Sequence, residues 1–199
     1  MSKSTIFLLI FVIGATSIGG LAATECPDLE SADSDPLISY LAAVAPNQDN
    51  SRCVTFVIKH LDSARYEPAI PVLVRLLDFH RPPNEAEKAG VALHPPTIDE
   101  FYPAANALEE IGKAALPALL EAIKSSETST IARRNAVSVW MVIYKYEPSK
   151  GIAKLQRESV AAADSTVNDN WTWALAEATR LCNPSQKARC NAAAMTPTP

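Results

Sequence analysis

Glycine is scarce in this chain, with 6 among 199 residues, and three of them, Gly14, Gly19 and Gly20, fall in an apolar N-terminal stretch. No glycine-rich loop remains to cradle a phosphate through backbone amides. No Gly-x-Ser-x-Gly stretch presents a serine on a nucleophile elbow. No His-Glu-x-x-His occurs, which removes the helix-borne zinc site of one protease class. The 4 cysteines include no Cys-x-x-Cys pair, the spacing on which convergent zinc sites commonly rest. Basic residues never run longer than Arg133-Arg134, and the formal net charge is −4. Nonspecific binding to a phosphate backbone needs clustered Lys and Arg, so nucleic acid is not an expected partner. These absences lead to the expectation of a non-catalytic chain with no cofactor and no bound metal.

What the chain does have is helical periodicity. In residues 102–124, Ala104, Ala107, Leu108 and Ile111 recur at three- and four-residue spacing and share one helical face. Glu109 and Glu110 lie off that face. Gly112 follows the last periodic residue, where a left-handed residue past a helix end is sterically easiest for glycine. Leu116, Leu119, Leu120 and Ile123 form a second stripe. Pro117, near its start, loses no hydrogen bond because first-turn amides have no intrahelical acceptor.

The second half of this unit has an upstream copy. Ala69-Ile70-Pro71-Val72-Leu73-Val74-Arg75-Leu76-Leu77-Asp78 aligns with Ala115-Leu116-Pro117-Ala118-Leu119-Leu120-Glu121-Ala122-Ile123-Lys124, apolar positions staying apolar and Pro71 matching Pro117. The offset, 46 residues, sits at the long end of the roughly 34–47 typical of helix-pair repeats, because an insertion occupies 79–97. Asp35-Pro36 signals a helix start for residues 37–44. Val54, Val57, Ile58 and Leu61 mark a helix over 51–64. Residues 131–144 are apolar nearly all round from 136 onward, which places that helix inside the stack. Glu147-Pro148 breaks it, Ile152, Leu155 and Val160 mark a weaker partner, and Trp171, Ala174, Leu175 and Ala178 line one face of a last helix over 167–181.

Three pieces of this pattern resemble the HEAT-like repeat family in its short bacterial form. They are Ala107-Leu108-Glu109-Glu110-Ile111-Gly112, the two Leu/Ile-Pro-x-Leu stretches at Ile70 and Leu116, and Ile131-Ala132-Arg133-Arg134-Asn135-Ala136. The last resembles the arginine-bearing start of a repeat's first helix. The resemblance covers about residues 51–163. It implies an all-α fold, an α-solenoid of stacked antiparallel helix pairs, and a scaffold role in which the concave face takes a protein or peptide. The chain departs from the family in its uneven repeat lengths, its insertion and its cysteines, and no residue carries a catalytic role over.

The N-terminus reads as an export signal. Lys3 precedes an uncharged stretch over 4–24 that contains Ile6-Phe7-Leu8-Leu9-Ile10-Phe11-Val12-Ile13 and then small residues. This order of basic, apolar and small segments is that of a secretory signal peptide, with cleavage expected near Ala23. The apolar core is short for a span of ~20 residues, so the mature chain is expected in a secreted or periplasmic location with no membrane insertion. The expected divisions are a signal peptide at 1–23, an N-terminal segment at 24–34, the repeat domain at 35–183 and an aperiodic tail at 184–199. Export makes disulfides the default state of Cys26, Cys53, Cys182 and Cys190. Three pairings are open. Pairing by proximity gives Cys26–Cys53 and Cys182–Cys190, one near each end, where terminal repeats lack a neighbour.

Chemistry has three candidate locations. The insertion carries His80 and His94 with several carboxylates nearby, and loops longer than ~12–15 residues are often functional. A metal or acid–base site there competes with a polar surface loop stiffened by proline pairs, and the spacing matches no ligand motif. Trp171 and Trp173 offer a sugar- or peptide-binding patch. Residues two apart on a helix point in different directions, so at most one faces a ligand; the competing reading is core packing. Arg133 and Arg134 suit a carboxylate or phosphate, or else pair with acids of a neighbouring repeat. Three function classes follow. The leading one is an exported scaffold binding a protein or peptide partner. The others are an exported enzyme or metal-binding protein using the 79–97 insertion, and a carbohydrate- or envelope-binding domain using Trp171 or Trp173.

Overall fold

A computed structural model describes residues 34–47, 49–92, 94, 97–161, 165–182, 184–187 and 190–191, together with Cys26 and Ala194. The expected signal segment and most of the tail lie outside these residues. The described chain is all-helical, with no strand, and forms one domain around one core. Its helices are α1 (Ser34–Ala43), α2 (Ser51–Ser63), α3 (Ile70–Arg75), α4 (Glu85–Lys88), α5 (Ile98–Phe101), α6 (Pro103–Ile111), α7 (Leu116–Lys124), α8 (Thr130–Ile143), α9 (Pro148–Ala161) and α10 (Ser165–Leu181). No helix among the described residues is long and apolar enough to cross a membrane.

Local chemistry accounts for most of these limits. Gly112 ends α6 at φ 76° and ψ −133°, a region of positive φ that side chains resist. Short 3-10 turns at Gly112–Ala115 and Glu67–Ala69 lead into α7 and α3. The two copies of the Leu/Ile-Pro-x-Leu stretch therefore share a turn-then-helix entry, with Pro71 and Pro117 in the first turn. Ser129 caps α8 by accepting a hydrogen bond from the Ala132 amide at 3.1 Å, satisfying one orphan donor. Turns over residues 144–147 follow α8, and Pro148 opens α9. Helix α1 begins two residues before Pro36.

The longer helices fall into two series by contact. In one, α2 lies against α6, α6 against α8 and α8 against α9; in the other, α1 contacts α3, α3 contacts α7 and α7 contacts α10. The two series meet through α1–α2, α3–α6, α3–α8, α7–α8, α8–α10 and α9–α10. Helix α8 sits innermost, as its apolar circumference predicts, and Trp140 is fully buried with its indole N–H donating to the Gly151 carbonyl at 3.1 Å. Buried Asn135 donates to the Leu77 carbonyl at 2.6 Å, tying α8 to the end of α3. Arg75 donates to the carbonyl of Ala42 at 2.9 Å, satisfying an orphan acceptor at the end of α1.

Sulfur atoms pair as Cys26–Cys53 and Cys182–Cys190, with Cα separations of 5.4 and 6.6 Å, inside the ordinary disulfide range. Two expectations need correction. Val160 is 65% exposed rather than facing the core, because it stands off the α9 stripe set by Ile152 and Leu155. The tail is not wholly apart from the fold: Cys190 is fully buried and Ala194 packs against the core. The Cys182 linkage draws that part of the chain inward.

Candidate functional site

The 79–97 insertion is built around Arg81. The Arg81 amide donates to the Phe101 carbonyl at 3.0 Å, and its Nε donates to the Glu100 carbonyl at 2.6 Å. These bonds close a neck between the two ends of the segment. Within it, the guanidinium grips both carboxylate oxygens of Glu87, at 2.8 and 2.5 Å. Glu87 is placed by a capping box at the start of α4: its amide donates to Asn84 Oδ1 at 2.8 Å, and its Oε2 accepts from the Asn84 amide at 2.7 Å. The Arg81 bond, aided by the Asn84 amide, holds the Glu87 carboxyl down to about 2. Both side chains are largely shielded, at 13% and 14% exposure. The expected loop is thus a small folded appendage with its own helix.

Two grooves flank this appendage and share Pro82 and Pro83 as a wall. The first, about 820 Å³, lies between the appendage and the outer face of α2. Helix α2 buries Val54, Val57, Ile58 and Leu61. Residues 52, 56 and 59 recur at helical spacing on the opposite side, so Arg52, Phe56 and Lys59 all face the groove. Phe56 is 62% exposed. At the far end Asp62 accepts a hydrogen bond from Asn106 at 2.9 Å. Burial pushes the Asp62 carboxyl above its ordinary range, against the opposing effect of that bond. The second groove, about 850 Å³, is more apolar and is bounded by Val44, Pro46, Leu76 and Phe79. Both volumes fall in the range of roughly 300–1,000 Å³ found for ligand sites.

The residues singled out from sequence go to different places. His80 is exposed on the rim of the second groove, stacked on Phe101 with ring centroids 5.3 Å apart. His94 is exposed on the appendage. The nearby acids are engaged elsewhere: Glu85 with Lys88, Glu87 with Arg81, and Asp78 with Ser129. Among the described residues, no three His, Cys, Asp or Glu side chains gather where an ion could be held.

Arg133 does not pair with acids of a neighbouring helix. It donates to the carbonyls of Ile123, Ser125 and Thr128 at 3.1, 2.7 and 3.1 Å, capping α7 and fixing the turn into α8. Arg134 is exposed and its charge reaches Glu177 on α10. Trp171 is 1% exposed and belongs to the core, so it cannot serve a surface patch; Trp173 is half-buried and packs against the same core. Asn170 donates to the Lys124 carbonyl at 3.1 Å within the α7–α10 contact.

The groove residues Arg52, Phe56 and Lys59 were not picked out from the sequence. The available signal was a phenylalanine standing off an apolar helical stripe and flanked on its own face by two cations. Comparison of the chain with known protein families, with characterised proteins and with solved structures finds no match.

Proposed function

We propose that this chain is an exported scaffold of HEAT-like solenoid type that binds a protein or peptide partner on the α2–α6 side of its helical stack. The packing supports the solenoid reading, since α2, α6, α8 and α9 touch in succession, as do α1, α3, α7 and α10, and the two series touch each other. The paired cysteines suit an oxidising compartment. The observation that carries the binding role is Phe56, a large apolar side chain 62% exposed within a preformed groove. Preformation lowers the ordering cost of association, and a bulky aromatic in a recess is the usual anchor of an interface.

The reading is tested by placing a photo-crosslinking amino acid at position 56 and, separately, at exposed Arg157 on α9. Irradiation in the native exported fraction should give discrete adducts from position 56 and none from position 157. The Phe56→Asp variant should keep its thermal transition and lose capture of the same species. Equal adducts at both positions, or capture that survives the substitution, would discredit the proposal.

A further inference from the structure

The groove beside Phe56 carries both signs of charge in balance. Arg81 is held by Glu87, and Glu85 by Lys88 at 2.8 Å. Arg52 and Lys59 remain on α2, against Asp62 and Glu100. These two carboxylates accept hydrogen bonds from neutral donors, the Asn106 side chain and the Thr97 amide, so they keep their charges. The Lys59 charge already reaches Asp62. A strongly acidic or strongly basic occupant therefore gains nothing here. The surface that fits presents both signs around an apolar centre.

Helix α2 is itself such a surface. Arg52, Phe56 and Lys59 are exposed on one side of it, and Asp62 is half-buried at the edge of the same groove. Two copies of α2 laid antiparallel, related by a two-fold axis level with Val57, place Arg52 opposite Asp62 of the second copy, and symmetry repeats the contact in reverse. Residue 56 then falls opposite 58, so each phenyl ring lies next to Lys59 of the other copy, a contact that favours an ammonium on an aromatic face. Neighbouring registers lack this match. A slip of three residues one way sets Arg52 on Lys59, and a slip of four the other way sets Lys59 on Lys59; like charges in contact oppose pairing. Resting on the scaffold reading above, we infer that the protein partner of this face is a second copy of the chain, docked α2 on α2 in antiparallel sense about a two-fold axis.

The test uses the full-length, oxidised protein, purified alone. Sedimentation should show dimers that dissociate on dilution. With a photo-crosslinking amino acid at position 56, irradiation of mixed isotopically light and heavy chains should join light to heavy, the adduct mapping to residues 55–60 of the other copy. The dimer should weaken about two- to thirtyfold in R52A, which loses two exposed charge contacts, and about thirtyfold or more in F56A, which loses two apolar contacts. R52E and D62K should each be monomeric, and mixing them should restore a dimer, since every facing pair in the mixed dimer is again of opposite sign. Melting curves of dilute samples report whether each variant is folded. Should D62K lose its fold along with the Asn106 bond, the crosslink map decides. A protein that stays monomeric at every concentration, or adducts that map away from α2, overturn this inference. The scaffold reading then stands where position 56 gives adducts with another species in the exported fraction, and falls as well where it gives none.

Discussion

Gly112 and Gly151 show what a single residue discloses about itself. Gly112 follows the last apolar residue of α6, so its role as a stop is written in its neighbours, and its φ of 76° agrees. Gly151 carries no such sign. It lies inside α9, where alanine should ordinarily gain about 1 kcal/mol. A Cβ there would meet Tyr144 Cγ at 2.8 Å and Tyr144 Cβ at 2.9 Å. The second of these atoms is fixed to the backbone and cannot rotate away. Displacing α9 would also stretch the bond from Trp140 to the Gly151 carbonyl. Gly151→Ala is therefore expected to destabilise the fold by about 1–3 kcal/mol in urea unfolding, the cost of overpacking. A gain in stability would show that α8 and α9 do not approach so closely. Phe56 has the same opacity: its residue type suggests core, and only the placement of the insertion shows that it faces a groove.

At the scale of elements, the helices with long apolar stripes were readable, and the appendage was not. Helices α2, α6, α7, α8 and α10 each bury a three-and-four spacing visible in the residues themselves. Helix α4 has four residues and no buried side chain, so periodicity had nothing to register. Its Asn84-x-x-Glu87 capping box was on the page, but no apolar run followed it. What holds this element is the grip of Arg81 on Glu87, and its pH response has a definite sign. A carboxyl held below its unfolded range stabilises the folded form fully above that range, and the contribution is lost as pH falls toward the folded value. The window here runs from near 4.5 down to about 2. A carboxyl NMR titration should place the Glu87 midpoint near the bottom of that window, with the Asn84 amide resonance moving in step. In Arg81→Ala the Glu87 midpoint should return to the ordinary carboxylate range. An ordinary midpoint in the unmodified chain would mean that the pair does not form in solution.

For the whole molecule, two matching helix entries were legible, because Pro71 and Pro117 punctuate them. Which helices would share a series was not legible, since the contacts of α8 with α10 and of α3 with α7 depend on how hairpins stack. The cysteine pairs bracket this stack, one at α2 and one just beyond α10, across 27 and 8 residues of sequence. On the chain-entropy account, loops of those lengths correspond to about 3.5 and about 2.5 kcal/mol of stabilisation. Replacing Cys26 and Cys53 by serine should thus lower the urea midpoint more than replacing Cys182 and Cys190. The reverse order would locate more strain relief or packing at the second bridge than loop length accounts for. Between these fixed ends, the neck at Arg81 and Phe101 joins the appendage to the stack through a single backbone pairing and a few bonds of one guanidinium. The span it encloses can consequently be lengthened, shortened or rewritten as an exchangeable cassette while the helices beneath keep their registry.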